Sequence, residues 1–158
     1  MTLNNALYGS KNSEWETPQE LFDELNKEFD FGLDACANKA NAKCPIYLSL
    51  EDKMNALELS WYSMTGVVWL NPPYGSQISN WIRKAYQESR NNKIVCLLPA
   101  RTDTRWWHTY IWDRYTHRPN AAVKEIRFLK GRLKFGNAKN SAPFPSAIVI
   151  FDRRNVVD

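Results

Sequence analysis

Apolar residues along the chain fall into two kinds of pattern. In residues 17–29, Leu21, Phe22, Leu25 and Phe29 recur at the spacing of one helical face. Residues 79–89 repeat this with Trp81, Ile82, Ala85 and Tyr86, and residues 104–112 also read as helical. Elsewhere the apolar positions form short unbroken runs: 67–70, 94–98, 126–129 and 147–151, with shorter runs at 31–33 and 46–48. Runs of this length bounded by Pro, Gly and Asn predict buried strands. Thr17 and Pro18 precede the first helix as a predicted N-cap and first helical residue, with Glu20 completing a capping box.

Strands alternating with helices predict an α/β sandwich with a mostly parallel central sheet. The length of 158 residues suits one domain. Residues 1–13 read as a loose, flexible N-terminal arm, and residues 14–158 as the folded domain. In such sheets, ligands bind beyond the carboxyl ends of the strands. Asp34 and Asn71 both fall at predicted strand ends, which marks them for attention.

Composition narrows the setting. Residues 1–10 are polar and lack the apolar stretch of a secretory signal, and no apolar run is long enough to span a membrane. Three cysteines without a C-x-x-C pair argue against a disulfide framework and against a structural zinc site, which leaves the reducing cytoplasm as the expected compartment. His108 and His117 show no ligand spacing, so no metal is expected. Seven Trp are many for so small a core, and rings left exposed are candidates for stacking on planar ligands. Up to Ser60 there are five Lys/Arg against eleven Asp/Glu; from Trp61 onward there are sixteen against six. That basic half is the electrostatic footprint of a polyanion partner.

The run 67–70 stops at Asn71-Pro72-Pro73-Tyr74. Two prolines cannot continue a central strand. The tetrapeptide also suits one difficult reaction, methylation of an exocyclic amine whose lone pair is conjugated with its ring. The Asn71 side-chain oxygen and the Pro72 carbonyl can accept the two N–H bonds of such an amine and turn its lone pair toward a methyl donor. Pro73 stiffens the turn by fixing its own φ and restricting its neighbour. Tyr74 offers a flat face, and stacking a base on such a ring is worth roughly 1–3 kcal/mol. Catalysis of this kind is positioning and electrostatic preorganisation.

Val68-Trp69-Leu70-Asn71-Pro72-Pro73-Tyr74 resembles the catalytic motif of amino-methyltransferases, which act on nucleic-acid amines or on protein glutamine. Five further blocks occur in order: WETPQELF (15–22), LDACANKANAKC (33–44), LLPARTDT (97–104), GRLKF (131–135) and APFPSAIVIF (142–151). Together they resemble the small phage-type DNA N6-adenine methyltransferases, a compact Dam-like family, from about Glu14 to Phe151. The resemblance implies a Rossmann-like methyltransferase fold, S-adenosylmethionine as cofactor, and a bacterial host's cytoplasm as the compartment. It makes Asp34-Ala35-Cys36 the counterpart of the donor-binding loop, with Asp34 for the ammonium group. It closes Trp15, Thr17 and Pro18 over the donor from the N-terminal side. Asp52 and Asn55 are the candidates for the donor's ribose or adenine, and Glu51 reads as a solvated charge.

Double-stranded DNA is then the expected partner. An adenine inside a duplex must be extruded before it is methylated. Arg101, Arg105, Lys130, Arg132 and Lys134 are the candidate DNA contacts, with Arg101 nearest the site because it follows a strand end. No segment is long enough for a separate recognition domain, so sequence readout falls to residues 112–124 or 130–145. RNA or a protein glutamine as substrate, and a non-catalytic DNA-binding domain, stand as alternatives. Nothing in the sequence sets the oligomeric state.

Overall fold

The computed structural model describes residues 15–62 and 66–157; the arm read over 1–13 lies outside the described residues. Helix α1 (Gln19–Phe29) begins one residue later than its capping pattern suggests. Pro18 is the N-cap, with ψ 129°, and its carbonyl accepts from the Phe22 N–H at 3.1 Å. The capping box read on Thr17 and Glu20 therefore does not form. The Thr17 hydroxyl is engaged elsewhere, by Asn71. The helix ends at Asp30 in the left-handed region (φ 52°), and Asn26 Oδ1 accepts the Phe31 N–H at 2.8 Å, which steers the chain into the sheet.

The main sheet contains β1 (Phe31–Asp34), β2 (Val67–Leu70), β3 (Ile94–Pro99), β6 (Val123–Phe128) and β7 (Ser146–Phe151), in the order β1-β2-β3-β7-β6. The β1–β2 and β2–β3 pairs are parallel; β7 is antiparallel to both β3 and β6. The sheet is thus mixed, which corrects the expectation of a mostly parallel one. The reason is physical: β7 is buried along its whole length, and a continuous apolar run reads like a buried parallel strand because it lacks the alternation that marks many antiparallel ones. The run at 46–48 adds only a parallel bridge between Tyr47 and Asp34.

Side-chain alternation gives the sheet two cores. Leu33, Val68, Leu70, Ile94, Cys96 and Val149 face α2 (Ile78–Glu88) through its Trp81, Ile82 and Ala85. Phe31, Trp69, Val95, Leu97 and Ile148 face α1 through Phe22 and Leu25, and also meet Phe135 and Phe144 of the long β6–β7 loop. The segment expected as a helix over 104–112 turns through Arg105 and Trp106 and then widens into a π-helix (Trp107–Ile111). A small hairpin, β4 (Trp112–Asp113) and β5 (Arg118–Pro119), follows it. The tryptophans are better hidden than the composition suggests: Trp61, Trp69, Trp81, Trp106 and Trp107 are buried, and among the described residues the exposed Tyr and Phe rings are Tyr62, Tyr115 and Phe128.

Trp81 is completely buried between α2 and the sheet. Trp81→Ala is expected to cost about 3–5 kcal/mol of stability, read as a lower urea midpoint; an unchanged midpoint would contradict the core assignment.

Candidate active site

The strand register brings two chemically active residues together. Asp34 ends β1 opposite Trp69 of β2, and Asn71 follows two residues later beyond the end of β2. The Ala35 N–H donates to the Trp69 carbonyl at 3.0 Å, tying the two strand ends.

Asn71 is held by the segment before α1. Its Nδ2 donates to the Trp15 carbonyl at 2.7 Å and to Thr17 Oγ1 at 3.0 Å. A carbonyl can only accept, so this contact fixes which end of the amide is which. The result is an oriented Oδ1 that is buried and, among the described residues, has no hydrogen-bond partner. Leaving a buried acceptor unpaired costs about 1–3 kcal/mol. Orphans of this kind occur where a ligand completes the bonding.

Pro72 and Pro73 are buried behind it, and Tyr74 is half-buried. The Tyr74 hydroxyl donates to the Leu97 carbonyl of β3 at 2.8 Å. Burial pushes the Tyr74 phenol well above its usual range, with the buried Cys96 thiol adding to the effect. Phe135 and Phe144 meet the Tyr74 ring edge-on at 6.0 and 5.6 Å, while Trp15 stacks against it at 6.1 Å. These rings fix the Tyr74 plane.

Beside Tyr74 lies a cavity of about 310 Å³, lined by Trp15, Tyr74, Gly75, Ile78, Pro99, Arg101, Thr104, Trp106 and Phe144. Its walls are mainly aromatic and aliphatic, with one cation and neither a carboxylate nor an imidazole. The Arg101 guanidinium sits over the Phe144 ring at 5.6 Å.

A second, narrower cleft of about 20 Å³ shares Trp15 with that cavity and is lined by Trp15, Glu16, Thr17, Asp34, Cys36, Asn41, Lys43, Trp69 and Asn71. Asp34 is 3% exposed. Its Oδ1 accepts from the Cys36 N–H at 3.2 Å and its Oδ2 from the Lys43 N–H at 3.0 Å, so it organises the loop after β1. Burial raises the Asp34 carboxyl to about 7, against the opposing pull of those two N–H groups. Each oxygen keeps a further lone pair for a cation. Ala35 is buried beneath this loop.

The remaining candidates lie further out. Asn55 caps a turn, its Oδ1 accepting from the Leu57 N–H at 3.1 Å, and it lines a separate cavity with Asn80, Arg83 and Lys84 of α2. Glu51 and Asp52 are exposed. Arg105, Lys130, Arg132 and Lys134 are exposed as well. Pro18 is the N-cap of α1 and directly follows Thr17. Sequence reasoning missed Asn41 and Lys43 on the Asp34 cleft, and also the rings of Phe135 and Phe144 around Tyr74. All four lie inside the ordered blocks, but no periodicity singles them out. Among the described residues, no group of three or more His, Cys, Asp or Glu side chains is arranged to hold a metal ion. Among them also, no helix is long and apolar enough to cross a membrane.

Residues 5–154 match the model of a family described as DNA N-6-adenine-methyltransferase (Dam). A DNA N-6-adenine-methyltransferase of Escherichia phage T1 is 37% identical over 95 residues, covering 59% of this chain and 38% of that protein. A protein of the same description from Haemophilus phage HP1 is 31% identical over 110 residues, covering 68% of this chain and 61% of its own length. YfdM of Escherichia coli K12 is 38% identical over 66 residues, covering 39% of this chain and 70% of YfdM. The chain thus spans between about two fifths and three fifths of the two phage relatives.

The raised carboxyl of Asp34 sets a pH dependence. Its folded value of about 7 lies above the unfolded value of about 4, so the folded state holds the extra proton between them. Asp34 therefore makes stability fall as pH rises from about 4 to about 7, by up to about 1.4 kcal/mol per unit, and adds no slope above that. Asp34→Asn is expected to remove this slope in urea titrations at several pH values; parallel wild-type and variant profiles would contradict it.

Proposed function

The chain belongs to the DNA N-6-adenine-methyltransferase (Dam) family, and from that premise we propose that it transfers a methyl group from S-adenosylmethionine to N6 of an extruded adenine in double-stranded DNA. One observation carries the reading: a buried amide oxygen, oriented by two bonds to its own nitrogen, belongs to a residue that lines the carboxylate cleft and stands three positions before Tyr74, which lines the aromatic cavity. Under this reading the mixed α/β sheet is a Rossmann-like methyltransferase sandwich.

The cavity beside Tyr74 takes the base. Its volume is at the lower end of small-molecule sites, and its walls offer ring faces. Asn71 Oδ1 and the Pro72 carbonyl accept the two N6 hydrogens and turn the nitrogen lone pair out of conjugation. As the nitrogen gains positive charge, the same two oxygens stabilise it. The Tyr74 hydroxyl, held by Leu97 and pushed up by burial, is not a base at neutral pH. The cavity walls carry no carboxylate or imidazole. The amine's proton therefore leaves to water after transfer, and the chain contributes positioning instead of general-base catalysis.

The donor side fits in chemistry. S-adenosylmethionine, when bound, supplies an electrophilic methyl group. Asp34 would hold its ammonium group, Lys43 would turn from Gln19 Oε1 (2.9 Å) and Glu16 (3.6 Å) to meet its carboxylate, and Trp15 and Thr17 would cover it. Ala35 and Cys36 let the backbone approach. A cleft of about 20 Å³ has room for little more than a water molecule, so donor entry requires it to widen. Asp52 and Asn55 remain the candidates for the donor's ribose and adenine. Arg101 anchors the extruded strand at the cavity mouth, and Arg105, Lys130, Arg132 and Lys134 would meet phosphates.

Incubation with methyl-labelled S-adenosylmethionine and duplex DNA, RNA or protein extract tests the activity. The expected product is label in duplex DNA, recovered as N6-methyladenine after hydrolysis. Label only in RNA or protein would contradict the substrate, and salt-sensitive DNA binding without donor binding would contradict catalysis.

A further inference from the structure

Two segments were candidates for reading DNA sequence, and the sheet topology separates them. The carboxyl ends of β1, β2 and β3 carry Asp34, Asn71 and Ala100. At that end Leu98 of β3 pairs with Ala147 of β7, and Ala147 pairs with Phe128 of β6. The β6–β7 loop, residues 129–145, therefore leaves and re-enters the sheet at the same end as Asn71, next to the end of β3. At the other end Ile94 pairs with Phe151, and Phe151 with Val123. The β4–β5 hairpin is rooted there: the Asn120 N–H donates to Ile111, and the Val123 N–H to Asn120.

The β6–β7 loop is also fastened to the catalytic cluster. Phe135 and Phe144 are buried against Tyr74 and Trp15. The Gly136 N–H, at φ 50°, donates to the Glu16 carbonyl at 2.9 Å. The Ala142 N–H donates to Leu133 at 2.8 Å and closes the loop's base. Residues 136–141 (Gly-Asn-Ala-Lys-Asn-Ser) are all exposed between these anchors. They border an open groove of about 550 Å³ whose polar walls are Asn137, Lys139, Asn140 and Ser141, with Trp15 at its inner side.

Most of the loop's cations, Lys130, Arg132 and Lys134, stand in its strand-proximal part, where they suit phosphates, whereas Asn and Ser side chains can meet either phosphates or base edges. On the groove wall, two carboxamides, a hydroxyl and one ammonium group match base edges: Asn pairs with adenine N6 and N7, Lys with guanine O6 and N7, and Ser with either. No carboxylate lines the groove to repel DNA. We propose that Asn137, Lys139 and Asn140 read the bases flanking the target adenine, making residues 136–141 the specificity-determining segment. This rests on the DNA-methylating activity proposed above.

The test uses the full chain and a duplex library with random bases around a central adenine, methylated with S-adenosylmethionine and mapped by sequencing. Asn137→Ala/Asn140→Ala and Lys139→Gln are compared with wild type and with Lys124→Gln, an exposed change near the opposite end of the sheet. Wild type is expected to show a flanking preference. The loop variants are expected to lose discrimination by about tenfold or more at one or more flanking positions, with donor binding and melting temperature unchanged. Lys124→Gln is expected to keep the wild-type preference. Loop variants that keep that preference, even at a uniformly lower rate, would overturn the assignment while leaving the activity intact. A wild-type chain that methylates no duplex would overturn the activity itself, and the assignment with it.

Discussion

The amide of Asn71 is the contact on which the account depends. Its nitrogen is committed to the Trp15 carbonyl and the Thr17 hydroxyl, so its oxygen has one orientation and is buried without a partner among the described residues. A freely rotating amide would present an oxygen or a nitrogen, and only the oxygen can receive an amine's hydrogens. The cost of the unpaired acceptor is carried by the fold, in keeping with polar groups held unsatisfied until a ligand arrives.

Several distant parts of the chain serve that orientation. The parallel pairing of β1, β2 and β3 stacks Asp34, Asn71 and Arg101 at one end of the sheet. The reversed β7 brings the β6–β7 loop back to the same end, where Phe135 and Phe144 brace Tyr74 and Trp15. Trp15 therefore touches the amide through its carbonyl and the aromatic cluster through its ring. The carboxylate cleft, the aromatic cavity and the proposed reading groove all share it as a wall.

Much of this was legible in local patterns. The runs that became β2 and β3, the stripes that became α1 and α2, and the stop at Asn71-Pro72-Pro73 are contiguous in the chain, so short-range periodicity reveals them. What was not legible depends on partners far away in sequence. Thr17 looks like a helix cap because an N-cap preference is local; its hydroxyl is taken by a residue 54 positions later. The direction of β7 and the depth of the Trp residues are tertiary outcomes that a uniformly apolar run does not encode. Asn41 and Lys43 reach the cleft only because Asp34 folds the intervening loop back through its two carboxylate bonds.

The central claim is that Asn71 serves the amine and not the donor. Asn71→Ala, measured by single-turnover transfer of labelled methyl to duplex DNA alongside calorimetric titration with S-adenosylmethionine, addresses it most directly. Loss of the oriented acceptor predicts a fall in transfer of at least about a hundredfold, well beyond the smaller loss of donor affinity that follows from freeing Trp15 and Thr17. Transfer at the wild-type rate, or loss of donor binding in step with loss of transfer, would contradict the account.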